Sequence, residues 1–190
     1  MAFMTQYNVC VYCSSSLDID EKYIDLAREV GMEIAKRGWG QVSGGGNISM
    51  MESVAQGARA GGGHTLGIIP RALIEREVGD QDSDELIIVD DMRIRKGLME
   101  THSQAFLALP GGIGTLEELF EIWVGRYLSF HSQPVVVLDP YDDFAFLHQQ
   151  IDHLAKKGFI KSGQREIIMW TKSVDEALDA CERQSDSCGD

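Results

Sequence analysis

The sequence predicts a single α/β domain, a Rossmann-like, doubly wound and mostly parallel sheet with helices on both faces. Short apolar runs alternate with longer segments of helical period almost without exception, and no repeat or linker interrupts them. One run, Val135–Leu138, is apolar throughout, as a strand covered on both faces should be. The 190 residues, 44% hydrophobic, suit one domain with one core. We place that domain at residues 1–183 and expect a polar, disordered tail at 184–190.

Five elements are predicted before Pro70. In the first helix, Leu26, Val30 and Ile34 recur four apart on one face, and Gly38 ends it. The predicted elements are strands at 9–13, 41–43 and 64–69, and helices at 20–37 and about 50–60.

The second half continues the alternation. Asp90 or Asp91 is expected to cap the helix that follows the fourth strand. The predicted elements are strands at Glu85–Val89, 105–109, Val135–Leu138 and 167–170, and helices at 93–103, 115 to about 129, 144–157 and 173–183.

Composition limits the partners of the chain. A formal net charge of −13 repels nucleic acid polymers and anionic membranes, so a small anionic ligand needs a local positive site. Residues 1–6 lack a charged signal region, no apolar run could span a membrane, and the four cysteines form no dense framework, so a reduced cytoplasmic protein is expected. The five histidines show no metal-ligand spacing, and Cys10 and Cys13 should point to opposite faces of a strand, so no metal is expected.

Glycine- or serine-rich turns follow three of the predicted strands, at residues 14–16, 44–47 and 111–115. Ligands of open parallel sheets bind beyond the carboxyl ends of the strands. Ser14 and Gly45 are therefore candidate contacts to a ligand.

The most informative motif follows the fifth strand and opens a helix. Glycines let the backbone approach a ligand, and N–H groups at a helix start attract phosphate, so the motif predicts a phosphate-binding turn. The alternative is a capping box, in which Thr115 and Glu118 only close the helix end. The motif is Pro110-Gly111-Gly112-Ile113-Gly114-Thr115-Leu116-Glu117-Glu118.

Three cations, Arg93, Arg95 and Lys96, lie at the start of another helix, where the helix dipole disfavours them. They are either a solvated face, paired with Asp90, Asp91 or Glu100, or the positive site that an anion requires. Glu121 shares a helix face with Glu118, so a paired-carboxylate role is open as well.

Two other nucleotide-binding classes are disfavoured. The glycine run at residues 44–46 follows the second strand, and Ser49 stands where a dinucleotide fingerprint needs its last glycine. The chain also lacks the Gly-Lys-Ser/Thr loop of nucleoside triphosphatases.

The motif at residues 110–118 resembles the P-G-G-x-G-T-x-x-E signature of the Lonely Guy (LOG) family, and Met92-x-x-Arg95-Lys96 is similar to its second motif. The resemblance covers residues 9–170. It implies a phosphoribohydrolase that cleaves cytokinin riboside 5′-monophosphates, AMP included, to a free purine and ribose 5-phosphate, without a cofactor. Family members are dimers or larger, so a homodimer is expected. Ser49 and Glu52 depart from the family's glycine run, and Val124 replaces a common threonine.

The resemblance also assigns roles to residues. Arg95 and Glu118 would be catalytic, Glu118 stabilising the cationic sugar and Arg95 the negative charge of either the phosphate or the leaving purine. A non-catalytic carrier of a nucleotide or of the molybdenum cofactor is the alternative. The candidate substrate contacts are Ser14, Gly45, Glu77, Met92, Lys96, Gly111, Gly112, Ile113, Gly114, Thr115, Leu116, Glu117 and Glu121.

Overall fold

A computed structural model describes residues 7–74 and 78–183, so predicted contact Glu77 and the predicted tail at 184–190 lie outside the described residues. Seven parallel strands form one sheet in the order β4-β3-β2-β1-β5-β6-β7. The strands are β1 (Asn8–Tyr12), β2 (Gly40–Ser43), β3 (Thr65–Pro70), β4 (Glu85–Val89), β5 (Ala105–Ala108), β6 (Val135–Leu138) and β7 (Ile168–Thr171).

Seven α-helices and one 3₁₀ turn (Arg71–Leu73) connect the strands of the described chain. The predicted doubly wound α/β fold is confirmed. The short helix α6 and the 3₁₀ turn were not predicted, because neither is long enough to show an apolar period. The helices are α1 (Glu21–Lys36), α2 (Ser49–Ala60), α3 (Met92–Thr101), α4 (Ile113–Tyr127), α5 (Ala145–Lys156), α6 (Ser162–Arg165) and α7 (Val174–Glu182).

Each face of the sheet carries its own apolar core. Helices α1, α2 and α7 cover one face, where the predicted stripe of Leu26, Val30 and Ile34 is buried against Val9 and Val11. Helices α3, α4 and α5 cover the other face, where Leu119 and Ile122 are buried with alternate residues of β1 and β5. Strand alternation sends successive side chains to opposite faces, so Cys10 and Tyr12 lie on the α4 side.

The sheet order places a topological switch between β1 and β5. The chain winds outward from β1 through β2 and β3 to β4, then returns to β5 on the other side of β1. Ligands of such sheets bind in the crevice beyond the strand ends at this point.

No helix of the described chain combines the length and the apolar character that crossing a bilayer requires. Cys10, Cys13 and Cys181 carry free thiols. Cys10 is buried inside β1, and Cys13 lies just after the strand and packs against the core of the opposite face, as predicted.

Candidate active site

The three predicted turns come together at one edge of the sheet. Because β2, β1 and β5 are parallel neighbours, the segments after their carboxyl ends lie side by side. The turn at 14–16 and the motif at 110–118 flank the switch point between β1 and β5. The site therefore lies where the fold predicts a ligand.

The motif begins α4, and no side chain caps that helix. The N-cap is Gly112, whereas Asp20 caps α1 and Asp91 caps α3 with hydrogen bonds from backbone N–H groups. An aspartate at a helix start competes with an anionic ligand for those N–H groups, so α4 is the better anion site of the three. The capping-box alternative is wrong, because Thr115 lies in the third helical position and not at the N-cap.

Gly111 and Thr115 pack against each other at this helix start. A Cβ on Gly111 would lie 2.1 Å from the Thr115 Oγ1, and Thr115 is only 2% exposed. Gly112, Ile113 and Gly114 are exposed, with Ile113 at 88%. The turn thus exposes the backbone of residues 112–114 to solvent, while Gly111 and Thr115 pack tightly beneath it.

Arg95 is buried, with 6% of its surface exposed. Its Nε donates to the Ile68 carbonyl oxygen at 3.2 Å, and its Nη2 donates to the Gly44 carbonyl oxygen at 3.1 Å. The predicted contact Met92 begins α3 and places its Sδ 3.4 Å from the Arg95 Nη1. The guanidinium is therefore a fixed positive charge below the β2 turn, and the solvated-face alternative does not hold for it.

Glu118 is half-buried on the first turns of α4 and lines a cavity of about 310 Å³ between α3 and α4. Tyr12, the last residue of β1, also lines this cavity, together with Lys96 and Glu121. The cavity lining does not include Arg95. Glu118 and Glu121 share the cavity, as their spacing predicts.

The charges of both predicted catalytic residues affect the pKa of the Cys10 thiol. Burial raises its pKa to about 12, a hydrogen bond with Tyr12 opposes this, and the Glu118 charge raises the pKa while the Arg95 charge lowers it. The charges of Arg95 and Glu118 therefore both reach the Cys10 thiol, although the two residues lie on different helices.

Lys96 turns toward α4 and not toward Asp90, Asp91 or Glu100. Its Nζ lies 2.6 Å from the Glu117 Oε1 and 2.7 Å from the Glu121 Oε2. Three of the predicted contacts therefore form one ion-pair cluster.

The other two turns have internal partners. Ser14 is half-buried, and its Oγ accepts from the Ser16 N–H at 3.0 Å. Gly45 has a φ of +72°, donates its N–H to the Ser43 Oγ and accepts from the Asp80 N–H. A Cβ there would lie 3.0 Å from the Ile68 nitrogen, so packing requires this glycine.

Two residues of the site region were not predicted: Tyr12, and Ser49 in its contact with the turn after β1. The period-2 pattern of β1 could have assigned Tyr12 to the α4 side. Ser49 begins α2 with a φ of +54°, and its hydroxyl donates to the Ser16 carbonyl oxygen, which links the β1 and β2 turns. No local pattern predicts that contact. Across residues 7–74 and 78–183, no group of three or more metal-binding side chains is present.

Comparisons with known proteins show similarity over most of the chain. A family profile described as "Possible lysine decarboxylase" matches residues 51–181. A cytokinin riboside 5′-monophosphate phosphoribohydrolase of Mycobacterium tuberculosis is 45% identical over 92% of this chain and 93% of that protein. One of Arabidopsis thaliana is 41% identical over 92% of this chain and 76% of that protein.

Solved structures show the same fold at lower identity. A molybdenum cofactor binding protein of Rippkaea orientalis is similar with a TM-score of 0.68 and 20% identity, covering 93% of this chain and 95% of that one. A molybdenum cofactor carrier of Chlamydomonas reinhardtii is similar with a TM-score of 0.67 and 22% identity, covering 92% and 95%. These likenesses establish the architecture alone.

Proposed function

The chain belongs to the LOG family, and from this membership we propose that it hydrolyses the N-glycosidic bond of purine riboside 5′-monophosphates, including AMP and cytokinin nucleotides. The products are a free purine and ribose 5-phosphate. The observation that supports the proposal is that Glu118 lines a cavity next to the uncapped start of α4, while the buried Arg95 guanidinium lies against the glycine turn after β2.

The start of α4 binds the phosphate. Its backbone N–H groups have no partners within the helix, by the geometry of every helix start, and the helix dipole adds positive potential there. The turn contacts are Gly111, Gly112, Ile113, Gly114, Thr115 and Leu116. Anchoring this end lets binding energy hold the anomeric carbon near Glu118. Ser14, Gly45, Glu77 and Met92 remain predicted contacts.

Glu118 acts at the anomeric carbon. Its carboxylate stabilises the cationic sugar and takes a proton from the attacking water. The water oxygen bonds to the anomeric carbon, the bond to the purine nitrogen breaks, and the purine leaves with that electron pair and acquires a proton. Arg95 supplies a fixed positive charge to the phosphate or to the departing purine.

The lysine nearest this site does not suit the pyridoxal chemistry that the description of the family profile suggests. A lysine that forms a Schiff base needs a lowered pKa. Burial acts to lower the pKa of Lys96, but hydrogen bonds to Glu117 and Glu121 outweigh it, so the pKa is raised. The residues here do not fit that cofactor.

Product analysis with AMP and its N6-isopentenyl analogue side by side tests the proposal. We expect release of free base and ribose 5-phosphate from at least one of them. A protein that binds both nucleotides and cleaves neither would be a carrier, as the alternative requires.

Glu118→Gln tests the assignment of the carboxylate. We expect turnover to fall by roughly two to four decades, while AMP still binds, because the phosphate site is unchanged. Glu29→Gln, on the exposed face of α1, is the matched control and should keep full activity. Full activity in Glu118→Gln would refute the assignment.

We also propose a homodimer joined through the outer face of α4. Phe120, Val124, Tyr127 and Leu128 form a stripe along this helix and are 37–50% exposed, and Phe130 beyond it is 77% exposed. A groove of about 500 Å³ on this face shares Glu100 and Glu121 with the site cavity. An apolar patch of this kind favours a protein partner.

We also propose that the protein is cytoplasmic. The free thiols of the described chain support that compartment, because cysteines stay reduced there.

A further inference from the structure

Lys96 spans the two helices that form the walls of the site cavity. It projects from α3, and its ammonium group reaches Glu117 and Glu121, which are one turn apart on α4, at 2.6 and 2.7 Å. The Lys96 side chain is 19% exposed, whereas those of Glu117 and Glu121 are 55% and 48% exposed. The bond to Glu117 joins residues 21 positions apart in the sequence.

Two members of this cluster, Lys96 and Glu121, line the same cavity as the proposed catalytic carboxylate of Glu118. Glu118 directly follows Glu117 and shares a helix face with Glu121, so three carboxylates lie within five residues of α4. Negative charges this close disfavour one another's ionised forms. Among the described residues, the charged and titratable groups near Glu118 include Cys10 and Tyr12 from β1, Cys13 just after it, Arg93, Arg95, Lys96 and Glu100 from α3, and Glu117 and Glu121 from its own helix.

We propose that Lys96 is a positioning residue that acts through Glu117 and Glu121: its ammonium group neutralises this pair and so keeps Glu118 ionised for catalysis. The proposal rests on the proposed hydrolase function. It replaces the expectation that Lys96 contacts the substrate directly. In this geometry two of the three ammonium N–H donors are directed at carboxylates of the same chain.

The position of Lys96 separates this role from that of Arg95. Arg95 is one residue earlier, is buried toward the sheet, and donates to the carbonyl oxygens of Gly44 and Ile68. Lys96 contacts no backbone of the glycine turn in the hydrogen bonds of the described chain. The cation of Lys96 therefore influences the chemistry through the charge on α4.

The test is the pH dependence of base release from AMP by Lys96→Met, which keeps the length of the side chain and removes its charge. We expect the acidic limb of the kcat profile to move to higher pH by about one unit, while KM for AMP is unchanged. A ¹³C NMR titration of the Glu118 carboxyl carbon, assigned by its loss in Glu118→Gln, should show the same upward shift.

Two further variants separate charge from packing. Lys96→Met combined with Glu117→Gln and Glu121→Gln removes the uncompensated charge. This triple variant should return the acidic midpoint of the kcat profile and the NMR midpoint of Glu118 toward the values of the unmodified protein. Lys96→Arg should retain them. Lys36→Met is the matched control, because Lys36 pairs with Glu33 at 2.6 Å. This pair lies on α1, which covers the opposite face of the sheet from α3 and α4.

A Lys96→Met variant that raises KM without moving either midpoint would overturn the proposal in favour of substrate contact. A shift that persists in the triple variant would also overturn it. If the unmodified protein releases no base, the proposed function fails, whereas the NMR titration still decides the effect of Lys96 on Glu118.

Discussion

At the scale of single residues, Arg95 and Lys96 show how adjacent cations acquire different roles. Successive residues of a helix are rotated by about 100°, so one of the two faces the sheet and the next faces α4. Arg95 is buried against carbonyl oxygens, and Lys96 meets two carboxylates. A cluster that looks uniform in the sequence thus divides into a fixed interior charge and a counter-charge for α4.

Arg95→Ala should destabilise the fold in addition to impairing catalysis. Removal of the guanidinium takes hydrogen-bond donors from the Gly44 and Ile68 carbonyl oxygens in a buried region, and we expect a loss of roughly 1–3 kcal/mol in the free energy of unfolding. Urea denaturation measures it. Arg93→Ala, at an exposed position on the same helix, should change stability by less than about 0.5 kcal/mol. Equal stability of the two variants would contradict the structural role.

At the scale of elements, the start of α4 combines an open backbone with a closed interior. Gly112 and Gly114 leave the N–H groups accessible from outside, whereas Gly111 is required from inside by the buried Thr115 side chain. The helices capped by Asp20 and Asp91 lack this combination. Glycine is therefore required at these three positions for two different physical reasons: ligand approach at 112 and 114, and packing at 111.

Gly111→Ala and Gly114→Ala form a matched pair that separates these reasons. The new Cβ at residue 111 would overlap the Thr115 side chain, so we expect a loss of about 1–3 kcal/mol in stability together with weaker AMP binding. A Cβ at residue 114 meets nothing within 4 Å, and alanine favours the helix, so stability should be unchanged or up to about 1 kcal/mol higher. AMP should nevertheless bind Gly114→Ala more weakly, because the new Cβ obstructs the approach of the ligand to the backbone. Thermal denaturation and calorimetric titration with AMP measure both effects. An unaffected Gly111→Ala variant would show that the packing argument is wrong.

At the scale of the whole molecule, α4 is apolar on two sides. Leu119, Ile122 and Trp123 are buried against the sheet, while Phe120 and Val124 are exposed on the outside. The inner stripe is buried in the core on this face of the sheet. No element of the described chain covers the outer stripe. A second copy placed there would lie beside the cavity that contains Glu118.

Val124→Glu should convert the proposed dimer to a monomer, because it introduces a charge into the centre of the outer stripe of each copy. Sedimentation velocity over a range of concentrations measures the change. Phe146→Glu on α5 is the control, since Phe146 is 83% exposed and lies outside this stripe, and it should remain dimeric. If both variants keep the oligomeric state of the unmodified protein, the interface lies elsewhere.

Local patterns determined the strands and the long helices. The stripe of Leu26, Val30 and Ile34 and the apolar run Val135–Leu138 were both found where predicted, because periodicity reports directly on burial. The motif at residues 110–118 located a helix start to within two residues, Thr115 against the observed Ile113, but it left open whether Thr115 and Glu118 cap that helix, which the structure decided.

Only the tertiary structure decided which of these parts meet. The order β4-β3-β2-β1-β5-β6-β7 places the turns after β1 and β5 on either side of one crevice, and strand pairing depends on contacts between distant residues. The inward turn of Arg95 and the pairing of Lys96 with Glu117 and Glu121 follow from how α3 packs next to α4. Helical period predicts that a residue faces its own sheet or solvent, but a partner on another helix depends on the packing of the whole fold.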